Sequence, residues 1–192
     1  MQLVDLPALN AAQYAQLPEH PERFLKHDYF IPDGPSGTPR LAFPYTLSLV
    51  RLIAPLYRRA FSGAPRYGEF YAPEHVSQAL PVTVAIIRAF VQEARRRGQV
   101  PVVVIIPIAY DLENYLQRHE WVYDPLLESL RWLNIPFCNL GPGLVHFLGG
   151  RNPWELYNRT DGHFTDEGYQ VMASLIYDYL QERQLLPQPF SH

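Results

Sequence analysis

The sequence predicts an α/β domain in which amphipathic helices cover a parallel β-sheet. From Pro73 onward, strand-like and helix-like patterns alternate, which is typical of parallel sheets with helical crossover connections. The segment 100–106 is rich in β-branched residues without polar alternation, and this pattern favours a strand covered on both faces. With 192 residues, 47% of them hydrophobic, the chain is long enough to form one sizeable core.

The first quarter of the chain has a different character. Prolines recur from Pro7 to Pro44 and break any regular period, so we predict an extended loop there. Apolar residues then follow helical spacing over Tyr45–Phe61, which predicts an amphipathic helix with a kink at Pro55. We expect this helix to cover a core, with a lid or a membrane-surface helix as the alternative. The chain therefore divides into an irregular segment, 1–68, and an α/β part, 69–192.

The α/β part begins with a helix whose apolar stripe runs from Leu80 to Ala94. Arginines at 95–97 place positive charge at the negative end of the helix dipole, and Gly98 marks the helix end. The strand over 100–106 follows, and then a loop over Pro107–Tyr115.

A second helix and a second strand complete a βαβ unit. Asp124 and Pro125 open the helix, which continues through Leu133 and ends at Asn134, before a short strand over 135–140. The last helix begins after Thr165, with acidic residues in its first turn and an apolar stripe that faces the core.

Charge and composition exclude several classes of function. A formal net charge of -3 gives no positive field for a phosphate backbone, so we expect no nucleic-acid partner. The longest apolar run, 102–109, is far shorter than the ~18 residues of a membrane span, and no basic start with an apolar core marks a signal peptide. The single cysteine, Cys138, cannot form an intramolecular disulfide and is predicted to be a small buried hydrophobe. No cofactor is expected.

A polar loop over 157–169 carries the residues best suited to chemistry. Residues two apart in extended chain point to the same side at roughly 6 to 7 Å, so Asp161 and His163 can face each other across Gly162. A carboxylate that holds the imidazole Nδ1–H leaves Nε2 free as a base, as in a nucleophilic triad. The alternative is a hydrogen-bonded turn that caps the last helix. A metal site of Asp161, His163 and Asp166 is disfavoured, because no second histidine or cysteine pair lies nearby.

Four further residues are candidates for lining a substrate site. Tyr110, Asp111 and Asn114 follow the first strand, at the carboxyl edge of the sheet where open α/β folds bind ligands. His75 stands just before a helix. Ordinary roles at turns and helix starts are the alternative for all four.

The stretch from Asp161 to Ala173, D-G-H-F-T-D-E-G-Y-Q-V-M-A, resembles the last conserved block of the SGNH (GDSL-like) hydrolases. Upstream, F-Y-A-P-E-H, the helix to Gly98 and P-V-V-V-I-I-P are similar to the helix and fourth strand of that family, so the resemblance covers 69–180. It implies the C-terminal portion of a flavodoxin-like three-layer α/β/α fold with an incomplete sheet. It also implies that Asp161 is the triad acid, that His163 is the general base and that Gly168 lets the last helix pack closely. The implied activity is hydrolysis of a small-molecule or carbohydrate ester by a serine nucleophile.

The blocks that supply the family's nucleophile and oxyanion hole are absent from this sequence. No serine has a G-D-S or G-x-S-x-G setting, and the serines present are Ser36, Ser48, Ser62, Ser77, Ser129, Ser174 and Ser191. A two-stranded parallel sheet would also leave edges and faces uncovered, so we expect about three strands to be missing. We therefore expect the C-terminal part of a longer ester hydrolase that is inactive by itself. The alternatives are a non-catalytic binding module and a half-enzyme completed by another chain.

Overall fold

The computed structural model describes residues 9–25, 42–61 and 63–186. The chain is a mixed α/β protein with a small parallel sheet, which confirms the predicted class at that level. Its strands are β1 (Val103–Ile105) and β2 (Phe137–Asn139). Its helices are α1 (Ala11–Gln16), α2 (Pro21–Phe24), α3 (Tyr45–Phe61), α4 (Ala79–Arg96), α5 (Ala109–Arg118), α6 (Asp124–Trp132), α7 (Gly141–Leu148) and α8 (Asp166–Glu182). Short 3-10 turns lie at Gly68–Tyr71 and Pro153–Glu155.

The two strands pair in parallel. Val103 lies opposite Phe137 and Ile105 opposite Asn139, and α5 and α6 form the connection, which confirms the predicted βαβ unit. The first strand is shorter than predicted, because its neighbour pairs with only three residues of the apolar run. Val103 is buried, but Val100 is 67% exposed and Ile106 is 49% exposed. The prediction that the whole run is covered on both faces is therefore wrong.

Helices pack against both faces of this strand pair. Side chains alternate across a strand, so Val103 and Val104 point to opposite faces. On the face of Val103, the buried partners come from α4 and α6: Leu80, Val91, Leu126 and Leu130. On the other face, Cys138 packs with buried residues of α5 and α7, Leu112, Leu144 and Leu148, and with half-buried residues of α8. Cys138 is thus a buried core residue, as predicted.

The helices with clear start and stop signals are confirmed. The structure gives α3 the predicted bounds, ends α4 just before Gly98, and begins α8 directly after Thr165. The helix α6 ends before Asn134, whose φ of 52° lies in the left-handed region that stops a helix.

Two loop predictions are wrong. The first proline-rich segment contains α1 and α2 within its described part, because Asn10 and Gln13 form a capping box with hydrogen bonds of 2.8 and 3.0 Å. Residues 26–41 of that segment lie outside the described residues. The loop predicted over Pro107–Tyr115 contains most of α5 instead, whose start is capped by the Asp111 carboxylate accepting from the Ile108 N–H at 2.9 Å. The helix α7 was not predicted.

The chain divides into two units. The first comprises Met1–Ala64 and Glu74–Gln78, and the second comprises Pro65–Pro73 and Ala79–His192. In the first unit, the apolar side chains Leu49, Ile53 and Tyr57 of α3 line an open apolar surface among the described residues. The expectation that this helix covers a core stays a prediction. The second unit holds the sheet and both core clusters. Every helix in the described ranges is too short or too polar to cross a bilayer.

Candidate functional site

The loop that carries Asp161 and His163 is a tight hairpin. The Asn158 N–H donates to the His163 carbonyl at 2.7 Å, and the Gly162 N–H donates to the Asn158 carbonyl at 2.8 Å. Gly162 has a φ of 75°, a left-handed conformation that glycine adopts without strain. The hairpin therefore brings Asp161 and His163 to its exposed tip.

The Asp161 carboxylate is bound within the hairpin. Its Oδ1 accepts from the backbone N–H of His163 at 3.0 Å, and the Asn158 Nδ2 lies 3.5 Å from its Oδ2. In the part of the chain that the structure describes, the imidazole ring of His163 makes no hydrogen bond with Asp161. The two predicted catalytic residues are thus neighbours, but they are joined through the backbone and not through the ring.

The base of the hairpin is anchored to the core. Tyr157 pairs with Phe164 in an antiparallel bridge, and their rings stack at 4.4 Å. The Tyr157 hydroxyl donates to the buried Pro107 carbonyl, just after β1, at 2.7 Å. At the other end, Thr165 caps α8 by accepting from the Gly168 N–H at 3.2 Å. These contacts hold the hairpin against the segment that follows the first strand.

Gly168 allows α8 to approach the hairpin closely. A Cβ at this position would lie 2.6 Å from Cδ1 of Phe164 and closer still to the carbonyl oxygen of Leu156. Only a residue without a side chain fits this contact.

An open groove of about 350 Å³ lies beside the hairpin. Its wall combines residues that follow β1 with residues of the hairpin and of the turn before the first 3-10 segment. The lining residues include Arg66, Tyr67, Tyr110, Trp154, Arg159 and Asp161. Tyr110 and Asp161, predicted separately from the sequence, therefore share one groove at the carboxyl side of β1.

Aromatic rings and guanidinium groups define the shape of this groove. The Tyr110 ring meets the Trp154 ring edge-on at 5.1 Å. The Arg66 guanidinium lies 4.5 Å from the centre of the Tyr110 ring, and that of Arg159 lies 5.9 Å from the Trp154 ring. A hydrogen bond holds the Trp154 indole in place, since its Nε1–H donates to the Glu113 carboxylate at 2.7 Å.

Asp111, Asn114 and His75 are placed elsewhere. Asp111 is buried at the start of α5, and Asn114 donates from Nδ2 to the Glu120 carbonyl at 2.7 Å, which orders the end of the same helix. His75 belongs to the first unit, where its Nδ1 lies 2.8 Å from the Ser77 hydroxyl. Of the four candidate substrate-lining residues, Tyr110 alone lines the groove.

The buried Asp111 carboxyl affects its surroundings electrostatically. Burial raises the pKa of Asp111, and the hydrogen bond from Ile108 opposes that rise. Burial and the nearby Asp111 charge together raise the pKa of Tyr123 and of Tyr157. Both phenols therefore stay protonated and act as hydrogen-bond donors, Tyr123 to the Asn139 side chain at 3.0 Å.

No serine is paired with His163 among the described residues. The Ser48 hydroxyl bonds to Ala42, and that of Ser129 donates to the Pro125 carbonyl within α6. Ser174 lies on α8, and Ser36, Ser62 and Ser191 lie outside the described residues. Within the described ranges there is also no group of three or more His, Cys, Asp or Glu side chains that could hold a metal ion.

Sequence reasoning missed the residues that complete the groove. Arg159 lies inside the polar loop, next to the predicted catalytic residues, so its position was a usable signal. Arg66 and Tyr67 are more than 40 positions from Tyr110, and nothing local in the sequence links them. Trp154 forms part of the groove wall, but it precedes the segment 161–173 on which the resemblance rests.

Compared with known proteins, the chain matches no family model, no curated protein and no solved structure.

Proposed function

We propose that this chain carries the acid–base part of an SGNH-type ester hydrolase. The observation that supports the proposal is the shared groove: the hairpin with Asp161 and the segment after β1 with Tyr110 line it together. Parallel α/β proteins bind ligands beyond the carboxyl ends of their strands, and β1 ends directly before this segment. The proposal places the ester in the groove, whose lining reaches Asp161 and Gly162, and requires it to extend to His163, the next residue of the hairpin, which is not part of that lining.

In the proposed reaction, His163 moves a proton twice. It takes the proton from a serine hydroxyl as the serine oxygen bonds to the acyl carbon, and it returns that proton to the leaving alcohol as the ester C–O bond breaks. Water then repeats the sequence and releases the acid. The serine and the oxyanion donors come from a segment that precedes these residues or from another chain.

Asp161 has the role of orienting His163. This role needs a hydrogen bond from the imidazole Nδ1–H to the carboxylate, which now accepts from the His163 backbone N–H at 3.0 Å. The proposal therefore requires the exposed His163 side chain to rotate so that Nδ1–H reaches the Asp161 carboxylate. A carboxylate so placed selects the tautomer with a free Nε2.

A binding module is the second candidate function. The observation in its favour is that the Asp161 carboxylate already serves the hairpin turn, through the His163 N–H and Asn158. In this case the groove binds its ligand without reaction. A half-enzyme completed by another chain is a further form of the first proposal. The observation in its favour is that Ile106, directly after β1, is exposed and apolar, so strands added by another chain would cover it.

The experiment begins with the DNA upstream of Met1. An in-frame segment that encodes a G-D-S block identifies the longer enzyme, and the hydrolysis of p-nitrophenyl esters is then measured on that form. We expect His163→Ala to lower turnover by several orders of magnitude. Asp161→Asn should also lower turnover, because it favours the wrong tautomer of the imidazole. The two effects should not be additive. His146→Ala, an exposed histidine on α7, is the matched control.

Two results contradict the proposal. The first is full turnover in His163→Ala. The second is stoichiometric labelling of a serine by a fluorophosphonate in the 192-residue chain alone, because we expect this chain to lack a nucleophile. If both variants instead lower stability by about 1 kcal/mol and leave turnover per folded molecule unchanged, the hairpin is only a turn.

A further inference from the structure

Two arginines and one carboxylate, that of Asp161, line the groove, so the charge of its lining is net positive. Arg66 and Arg159 line it, and neither forms an ion pair with a carboxylate among the described residues, whereas Arg96, Arg97 and Arg151 do. Each of the two groove arginines contacts an aromatic ring instead. Both side chains are exposed, so their N–H donors are accessible to solvent and to a ligand.

Guanidinium groups and aromatic rings recognise different parts of a ligand. A guanidinium presents a fork of N–H donors that matches carboxylate, sulfate or phosphate oxygens. A tyrosine or tryptophan ring offers a flat apolar surface with a polar edge, which suits the apolar face of a sugar ring. Thr160 and Asp161 add a hydroxyl and a carboxylate that can bond to sugar hydroxyls.

We propose that the groove binds a sugar ring that carries an anionic substituent. The ring lies against Tyr110 and Trp154, and the anionic group pairs with Arg66 or Arg159. Asp161 repels a second negative charge at the hairpin side, which keeps the anionic group at the arginines. The inference rests on the proposed function only where it makes this sugar the ester substrate, because binding itself requires no catalysis.

The aromatic wall is ordered before a ligand arrives. Glu113 holds the Trp154 indole at 2.7 Å, and the edge-on contact with Tyr110 at 5.1 Å fixes the angle between the two rings. Side chains that are already ordered lose less entropy on binding, which favours a specific ligand over a diffuse attraction of anions.

The test separates the contribution of the sugar ring to binding from that of the anionic group. The full 192-residue chain is titrated with glucuronate, glucose 6-phosphate, glucose and inorganic phosphate, and binding is followed by NMR chemical shifts of the Trp154 indole N–H. We expect the two charged sugars to bind at least tenfold more tightly than glucose or phosphate alone, which corresponds to about 1.4 kcal/mol. Comparison of the two charged sugars shows which anionic group the arginines prefer.

Variants of the groove locate the contacts. Arg66→Met and Arg159→Met are each expected to weaken binding of the preferred charged sugar about tenfold, with circular dichroism unchanged. Arg131→Met is the matched control, since this arginine also lies over an aromatic ring, 5.7 Å from the centre of Phe137, but outside the groove. Trp154→Ala lacks the indole probe, so its binding is measured by isothermal titration calorimetry, and we expect the difference in affinity between charged sugar and phosphate to be abolished.

The inference is overturned if phosphate binds as tightly as the charged sugars, if glucose binds as tightly as they do, or if Arg131→Met weakens binding as much as Arg66→Met. Failure of the proposed function gives a different result. Charged sugars then bind the groove, but turnover in the longer form is indifferent to His163→Ala. If His163→Ala loses turnover but charged sugars do not bind, this inference is overturned and the proposed function is not.

Discussion

The close approach of α8 to the Asp161 hairpin predicts that Gly168→Ala destabilises the second unit. Alanine is the better helix former, so a helix considered in isolation would gain up to about 1 kcal/mol from this change. In the folded chain, the new Cβ would lie 2.6 Å from Cδ1 of Phe164 and would also meet the Leu156 carbonyl oxygen. That oxygen belongs to the backbone and accepts from the Thr165 N–H at 2.9 Å, so it cannot move without weakening the base of the hairpin.

The expected loss follows from these two opposing contributions. Added atoms in a well-packed site cost about 1 to 3 kcal/mol, and a clash with backbone that cannot rotate away falls in the upper part of this range, about 2 to 3 kcal/mol. The gain in helix propensity offsets about 1 kcal/mol of this. The net loss in the free energy of unfolding is about 1 to 2 kcal/mol, which lowers the melting temperature by about 2 to 8 °C for a chain of this length.

The matched control is Gly143→Ala in α7. There the new Cβ would lie 2.5 Å from Cδ2 and 2.8 Å from Cδ1 of Leu175, and these terminal atoms of a leucine side chain can rotate away. We expect Gly143→Ala to cost less than half as much as Gly168→Ala when both are unfolded by heat and by urea and followed by circular dichroism at 222 nm. Equal or greater stability of Gly168→Ala relative to the parent chain would refute the reasoning.

Three further predictions concern the contacts that hold the site. Tyr157→Phe leaves the buried Pro107 carbonyl without its donor and should lower the unfolding free energy by about 1 to 2 kcal/mol in urea titrations, so an unchanged midpoint speaks against that bond. Thr165→Ala removes the cap of α8 and should cost about 1 kcal/mol, whereas Thr165→Ser retains the hydroxyl and should cost much less; similar losses in both variants would assign the effect to the methyl group. Asp111→Asn should reduce the pH dependence of stability. Because burial raises the folded-state pKa of Asp111 above its ordinary 3.8, the folded state holds this proton more tightly, and the parent chain loses stability as the pH rises above that value. Urea midpoints at about pH 4 and about pH 7 measure this loss, and an equal loss in Asp111→Asn would contradict it.

Elements with local start and stop signals could be predicted from the sequence alone. The bounds of α3, α4 and α8 follow from apolar spacing, a C-terminal glycine and a threonine cap, and these signals act within a few residues of the chain. The parallel pairing of β1 and β2 also followed, because two apolar segments joined by a helical crossover have few other ways to pair.

The helices α5 and α7 required the folded chain. The helix α7 opens with Gly-Pro-Gly, which by itself favours a turn, and it is helical because Leu144 and Leu148 are buried in the core. The helix α5 starts at Ala109, a short turn after β1, where the Asp111 side chain accepts a hydrogen bond from the Ile108 N–H. Core packing in α7 and a capping contact in α5 thus outweigh the local preference of the chain.

The same division applies to the candidate site. The sequence by itself determined that Asp161 and His163 share one loop before the last helix, since a separation of two residues keeps them together in any fold. Only the tertiary structure decided that Arg66 and Tyr110 share a groove with this loop. The physical reason is that the shared loop depends on chain connectivity, whereas the groove depends on the packing of segments far apart in the chain, which burial of apolar surface determines and local spacing does not.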